Sequence, residues 1–106
     1  FVEYSKSMFE YWTEDDFASS FRKMLTIEQF RSEEMQKLYQ QYLVAGPASY
    51  VKDLFDSMGF TNAKNKAVRF YAVMHFYYSL YDGAEDKENV KDGFVSAIKS
   101  LVQELK

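Results

Sequence analysis

The sequence contains no cysteine, only one histidine and one proline, and four glycines. Without cysteine it can form neither a disulfide nor a thiolate metal site, and this absence fits a reducing compartment such as the cytoplasm. The glycines are isolated from one another, which excludes a glycine-rich loop that cradles phosphate. A single histidine supplies no recognisable metal-ligand set or catalytic triad, so no metal, cofactor or enzymatic activity is expected.

Clustered positive charge is also missing. The chain has 13 Lys and Arg against 16 Asp and Glu, for a net charge of −3. Phosphate contact needs clustered Lys and Arg, so this segment is not expected to bind nucleic acid itself. No signal peptide or transmembrane segment is recognisable, and no membrane contact is expected. The acidic clusters at 14–16 and 85–88 each open a helix, where the helix dipole stabilises carboxylates, and this favours capping over metal binding.

Aromatic residues are abundant, at 19% of the chain, and apolar residues recur at helical spacing. A length of 106 residues suits one domain. We therefore predict a single all-α domain over residues 1–106, a bundle of five or six helices. Helix starts are predicted at Thr13, Ser32, Asn62 and Asp86, helix ends at Gly59 and Gly83, and a break at Gly46-Pro47.

The segment Asn62–Gly83 is the central feature of the pattern. As a helix it is apolar on nearly every side, so it must be buried in a core or against a partner. A short turn joins it to the last helix, Asp86–Lys106, which predicts that the two pack as antiparallel neighbours. The apolar surface exceeds what one small bundle needs, and this indicates a partner chain or a cavity.

The lone His75 lies within this central helix, on a face shared with Tyr71, Met74 and Tyr78. A histidine on an apolar helix is most often a hydrogen-bonded core residue, but in a cavity it could contact the polar group of a ligand. The aromatic residues leave the same two possibilities open. They either pack a core or line a small-molecule site, because buried tyrosine hydroxyls require partners there.

Three segments resemble the carboxy-terminal half of TetR/AcrR-type transcriptional regulators: MLTIEQFR at 24–31, LYQQY at 38–42 and YSLYDG at 78–83. The resemblance extends over residues 13–106. The family's amino-terminal helix-turn-helix does not occur in this sequence. The resemblance therefore implies that DNA binding belongs to an amino-terminal domain of a longer parent chain.

The resemblance implies a cytoplasmic homodimer that senses a small hydrophobic or aromatic effector. The last two helices of each subunit, Asn62–Tyr81 and Asp86–Lys106, would form a four-helix dimer interface. Helical phase then assigns two sets of residues, although the opposite assignment of faces stays open. The predicted ligand-binding residues are Trp12, Phe21, Met24, Tyr71, Met74, His75 and Tyr78, and the predicted dimer contacts are Phe76, Leu80, Val95, Ile98 and Val102.

The alternative function is a structural helical dimerisation module with a filled core and no ligand. The two hypotheses differ in buried volume. A cavity enclosed beside His75 and Tyr71 would favour effector sensing, whereas a closed core would favour the structural module.

Overall fold

The computed structural model describes all 106 residues and consists of six α-helices without a strand, which confirms the predicted all-α bundle. None of the six has both the length and the apolar character that crossing a membrane would require. The helices are α1 (Val2–Glu14), α2 (Asp16–Glu28), α3 (Glu33–Leu43), α4 (Ala45–Ser57), α5 (Ala63–Gly83) and α6 (Lys87–Leu105).

The first predicted helix boundary is wrong. Helix α1 does not end before Thr13 but continues to Glu14, and Asp15 is the N-cap of α2, where its carboxylate accepts a hydrogen bond from the Ala18 N–H at 2.8 Å. Thr13 is buried, and its hydroxyl donates to the Phe9 carbonyl one turn earlier. This back-bonding lets a threonine remain inside a helix.

The later boundaries follow the predicted signals. Ser32 caps α3 by accepting from the Met35 N–H, and Asp86 caps α6 by accepting from the Asn89 N–H. Asn62 precedes α5 as expected, but it adopts a left-handed conformation (φ 52°) and its side chain makes no capping hydrogen bond.

A glycine ends α4 by the Schellman pattern. Gly59 has a φ of 81°, its N–H donates to the Asp56 carbonyl, and the Phe60 N–H donates to the Phe55 carbonyl. The chain thereby reverses, and the Phe60 ring lies 5.2 Å from the Phe55 ring.

The Gly46-Pro47 signal marks a true break between α3 and α4. The chain bends at Val44, and Pro47 falls in the first turn of α4, where its missing N–H does no harm. Gly46 packs directly on the end of α3, because a Cβ atom at this position would lie 1.7 Å from the Gln41 carbonyl oxygen. Only glycine allows this approach.

Helix α5 is the centre of the bundle and packs against α1, α4 and α6. Its antiparallel pairing with α6 is as predicted: Arg69 bonds Glu104 at one end, and Lys87 donates to the Tyr81 carbonyl at the other. The core is largely aromatic and contains a fully buried Phe from each of four helices. These are Phe9, Phe55, Phe70 and Phe94.

An ion pair between a buried arginine and a more exposed aspartate joins three helices. Arg22 of α2 is 5% exposed, and its guanidinium donates two hydrogen bonds, at 2.8 and 2.6 Å, to the Asp82 carboxylate near the end of α5. Its Nε donates to the Trp12 carbonyl near the end of α1 at 3.0 Å, and its Cζ lies 5.0 Å from the centre of the Tyr78 ring. Nε and both terminal nitrogens of the guanidinium therefore each donate one hydrogen bond.

This ion pair should be costly to break but not to replace. Asp82→Ala leaves a buried guanidinium without its counter-charge, and we expect the free energy of unfolding in urea to fall by about 2–4 kcal/mol. The double variant Arg22→Met/Asp82→Leu removes both charges, so we expect it to lose less than Asp82→Ala. Arg69→Ala is the control, because the Arg69–Glu104 pair is exposed and should contribute less than about 1 kcal/mol. Equal losses for Asp82→Ala and Arg69→Ala would contradict the role of the buried pair.

Candidate functional site

A cleft with a volume of about 460 Å³ lies between α1, α5 and the break that joins α3 to α4. This volume falls within the usual range for small-molecule sites. Most of the lining is apolar or aromatic. The thirteen lining residues are Tyr4, Met8, Trp12, Gln41, Tyr42, Gly46, Pro47, Tyr50, Val51, Phe70, Tyr71, Met74 and Tyr78.

Two helices face each other across the cleft with matched spacing. Helix α1 presents Tyr4, Met8 and Trp12, and α5 presents Phe70, Met74 and Tyr78. Residues four apart stack along one face of a helix, so each helix forms a continuous wall. Two of these side chains are methionines, whose flexible thioethers adapt to ligands of different shape.

The α5 wall is also the buried floor of the cleft, and the opening to solvent, its mouth, is exposed. The α5 residues of the floor are all buried, whereas Tyr42 and Tyr50 at the mouth are 42% and 59% exposed. The third side is formed by Gly46 and Pro47 at the helix break. Gln41 also lines the cleft at this break, and Gly46 packs directly against its carbonyl oxygen.

The polar groups of the cleft are mainly tyrosine hydroxyls. The Tyr71 hydroxyl donates to the Leu43 carbonyl at the end of α3. Burial raises the pKa of Tyr71, and burial together with the nearby Tyr71 hydroxyl raises the pKa of Tyr78. Burial and the neighbouring Tyr50 hydroxyl raise the pKa of Tyr4 to about 12. These tyrosines therefore stay protonated and neutral at physiological pH.

Four of the seven predicted ligand-binding residues line this cleft: Trp12, Tyr71, Met74 and Tyr78. Phe21 and Met24 lie outside the cleft. Phe21 packs edge-on against Tyr42 at 5.3 Å, and Met24 is 38% exposed on the outer side of α2. The prediction for these two was wrong because α2 turns Ala18, Arg22 and Leu25 inward instead.

His75 is also displaced from the predicted position. It is half-buried beside Tyr39, with 3.4 Å between its Nε2 and the Tyr39 hydroxyl. It borders a polar cavity of about 120 Å³ that Arg22 and Asp82 also line, and a wider surface groove on the other side of α5. One residue after Met74, it is rotated by about 100° around the helix, away from the cleft.

Several lining residues were not predicted. Tyr4 and Met8 carry a usable signal, because they continue the helical face of Trp12 at four-residue spacing. The residues around the α3–α4 break carry none, since a glycine-proline break predicts a bend but not what the bend encloses.

The predicted dimer contacts do not form one surface. Ile98 is fully buried in the core with Phe94, Leu101 and Leu105, so its assignment to a partner interface was wrong. Val95 and Val102 are half-buried and pack against the core. Phe76 and Leu80 are exposed on the outer face of α5, as is Val68. The exposed face of α6 is polar and includes Asp92, Ser96, Lys99, Ser100 and Gln103.

Comparison with known proteins finds no matching family model, no similar curated protein and no matching solved structure.

The position of His75 predicts a specific pH dependence of stability. Burial, and then the charge of Arg22, lowers the pKa of His75 below its ordinary value of 6.5. The unfolded chain therefore takes up a proton that the folded chain resists, and stability is lost as the pH falls below about 6.5. We expect the free energy of unfolding in urea to decline between about pH 7.5 and pH 5.5, and His75→Gln to make that decline shallower.

Tyr39→Phe is the control, because it keeps the histidine and its burial and should retain the decline. The prediction is contradicted if the free energy of unfolding falls with pH at the same slope for the parent chain and for His75→Gln. That result would show that the pKa of His75 is the same in the folded and the unfolded chain.

Proposed function

We propose that this chain is the effector-sensing and homodimerisation domain of a TetR-like transcriptional repressor, acting in the cytoplasm. A small hydrophobic or aromatic molecule binds in the cleft between α1, the α3–α4 break and α5. DNA binding belongs to a separate amino-terminal domain of the parent protein. The cleft binds and releases its ligand without chemical change.

The observation that carries the proposal is the cleft itself. A mostly apolar cleft that opens to solvent at Tyr42 and Tyr50 is the kind of concave surface on which small-molecule sites are built. Here two helices present matched aromatic and methionine walls across about 460 Å³. The cleft lies beside Tyr71 but is open at Tyr42 and Tyr50, and it excludes His75. It therefore supports ligand binding at a site that overlaps only part of the predicted one.

The regulatory role is contributed by the sequence resemblance. A ligand that contacts both α1 and α5 binds most tightly when these helices have one particular spacing. Such a ligand shifts the population towards that arrangement. In a dimer, a change in helix spacing would alter the separation of two attached DNA-binding domains, which couples the ligand to DNA affinity.

A second copy of the chain is the proposed partner for the outer face of α5. Val68, Ala72, Phe76 and Leu80 follow one another at four-residue spacing on that face, and none is charged. Val68, Ala72 and Phe76 line a surface groove together with Ala45 and Ala48 of α4, and Phe76 is 58% exposed. A protruding ring next to small residues is self-complementary, as a two-fold interface requires. The proposed dimer contact therefore lies on α5 alone, whereas the sequence resemblance implied both α5 and α6.

Ligand binding is tested by comparing the parent chain with a variant in which a larger side chain occupies the cleft. Thermal unfolding of the parent chain with a panel of aromatic compounds should show a rise in Tm of about 4 °C or more for at least one compound. Met8→Trp places a larger ring between the two walls, so the same compound should no longer raise Tm. Met58→Trp is the matched control, because Met58 is exposed and outside the cleft, and it should keep the response. A response that survives Met8→Trp would contradict the assignment.

Dimerisation through α5 is tested by sedimentation. Phe76→Asp puts a charge at the centre of the uncharged face, and we expect a folded monomer where the parent chain is a dimer. Ser96→Asp changes the polar face of α6 and should leave the dimer intact. A parent chain that stays monomeric at high concentration, or a dimer that tolerates Phe76→Asp, would overturn this part of the proposal.

A further inference from the structure

The charge of the cleft restricts what it can bind. None of its thirteen lining residues carries a charged side chain. A ligand that enters with a full charge gives up its hydration and meets no opposite charge, which is strongly unfavourable. Tyr4, Tyr71 and Tyr78 cannot supply a negative charge, because their raised pKa values keep them protonated.

Aromatic walls alone would suit a cation, since the faces of Trp and Tyr rings attract positive charge. The floor of this cleft has a feature that opposes such binding. The Arg22 guanidinium already lies 5.0 Å from the centre of the Tyr78 ring, on a residue that lines the cleft. One face of the Tyr78 ring is therefore already occupied, and no lining residue offers a cation a negative charge.

An anion gains little from the same arginine. The two hydrogen bonds from the guanidinium to the Asp82 carboxylate offset its charge, and Nε is used by the Trp12 carbonyl. Arg22 itself does not line the cleft. A carboxylate ligand would lose its hydration without reaching a donor of full charge.

Neutral polar groups do have partners. The cleft is lined by five tyrosines, Trp12 and Gln41, which all carry neutral hydrogen-bonding groups, although the Tyr71 hydroxyl already donates to the Leu43 carbonyl. Protonated hydroxyls both donate and accept. These groups lie between aromatic and methionine side chains, so a flat ring that carries a hydroxyl, carbonyl or amide would match both kinds of surface.

We infer that the cleft selects uncharged aromatic molecules that carry hydrogen-bonding groups, and that it discriminates against cations and anions of the same size. This inference rests on the proposed function and adds the chemical class of the effector. The basis of selection is the absence of charge in the lining together with the paired arginine behind the floor.

The experiment uses three compounds that share one naphthalene ring: 2-naphthalenemethanol, 2-naphthoate and (2-naphthylmethyl)trimethylammonium. Binding is followed by the fluorescence of Trp12, the only tryptophan and a lining residue of the cleft, and is checked by calorimetry. We expect the alcohol to bind at least about tenfold more tightly than either ion. Equal or tighter binding of an ion would overturn the inference while leaving the proposed ligand site in place. Binding by none of the three would contradict the ligand site as well.

A charge added at the mouth tests the cause of the selection. Tyr50 is exposed, so Tyr50→Glu can place a carboxylate at the cleft without burying it, and Tyr50→Gln is the uncharged control. We expect the trimethylammonium compound to bind about fivefold or more tightly to Tyr50→Glu than to Tyr50→Gln, with a smaller change for the alcohol. Equal affinity of both variants for the cation would show that the missing negative charge does not set the preference.

Discussion

The buried guanidinium of Arg22 is the constraint on which much of this arrangement depends. A buried charge is tolerated only when it is paired and hydrogen-bonded, and here Asp82 and the Trp12 carbonyl provide those bonds. Satisfying this one group fixes the rotation of α2 about its axis and anchors it to the ends of α1 and α5. Both of those helices are walls of the cleft, so the ion pair also holds the site in shape.

The same constraint explains where sequence-based prediction failed. Helical phase predicted that the apolar side chains of α2 face inward, with Phe21 and Met24 in the pocket. Because Arg22 takes the inward position, Met24 lies on the outer side of the helix and Phe21 packs against Tyr42 instead of lining the cleft. Arg22 and Asp82 are sixty residues apart in sequence, and no local pattern connects them. The pairing arises only when the tertiary structure forms.

Most local signals were predicted well, with the Thr13 cap as the exception. The caps at Ser32 and Asp86, the glycine end at Gly59 and the break at Gly46-Pro47 each depend on a few neighbouring residues. The all-α class and the antiparallel final pair follow from periodicity and a short turn. The site was predicted only in part, because helix spacing shows which residues share a face but not which face meets which neighbour. His75 and Ile98 illustrate this limit.

Helix α5 gives the proposal its physical link between ligand and partner. One side of the helix is the floor of the cleft, and the other carries the exposed Phe76 and Leu80. A ligand that moves or stiffens α5 would act directly on whatever covers its outer face. The coupling would need no chain of intermediate residues, because a single rigid element has both surfaces.

The methionines permit the most direct test that the cleft is the ligand site. Met8 and Met74 line the cleft, whereas Met24, Met35 and Met58 lie elsewhere. One spectrum of the five methionine methyl groups therefore compares positions in the cleft with positions outside it. Methyl NMR of methionine-labelled protein should be recorded while 2-naphthalenemethanol is added. The cleft assignment predicts saturating shifts for Met8 and Met74, with little change in the other three. Shifts confined to Met24, Met35 or Met58, or no saturating shift at all, would contradict it.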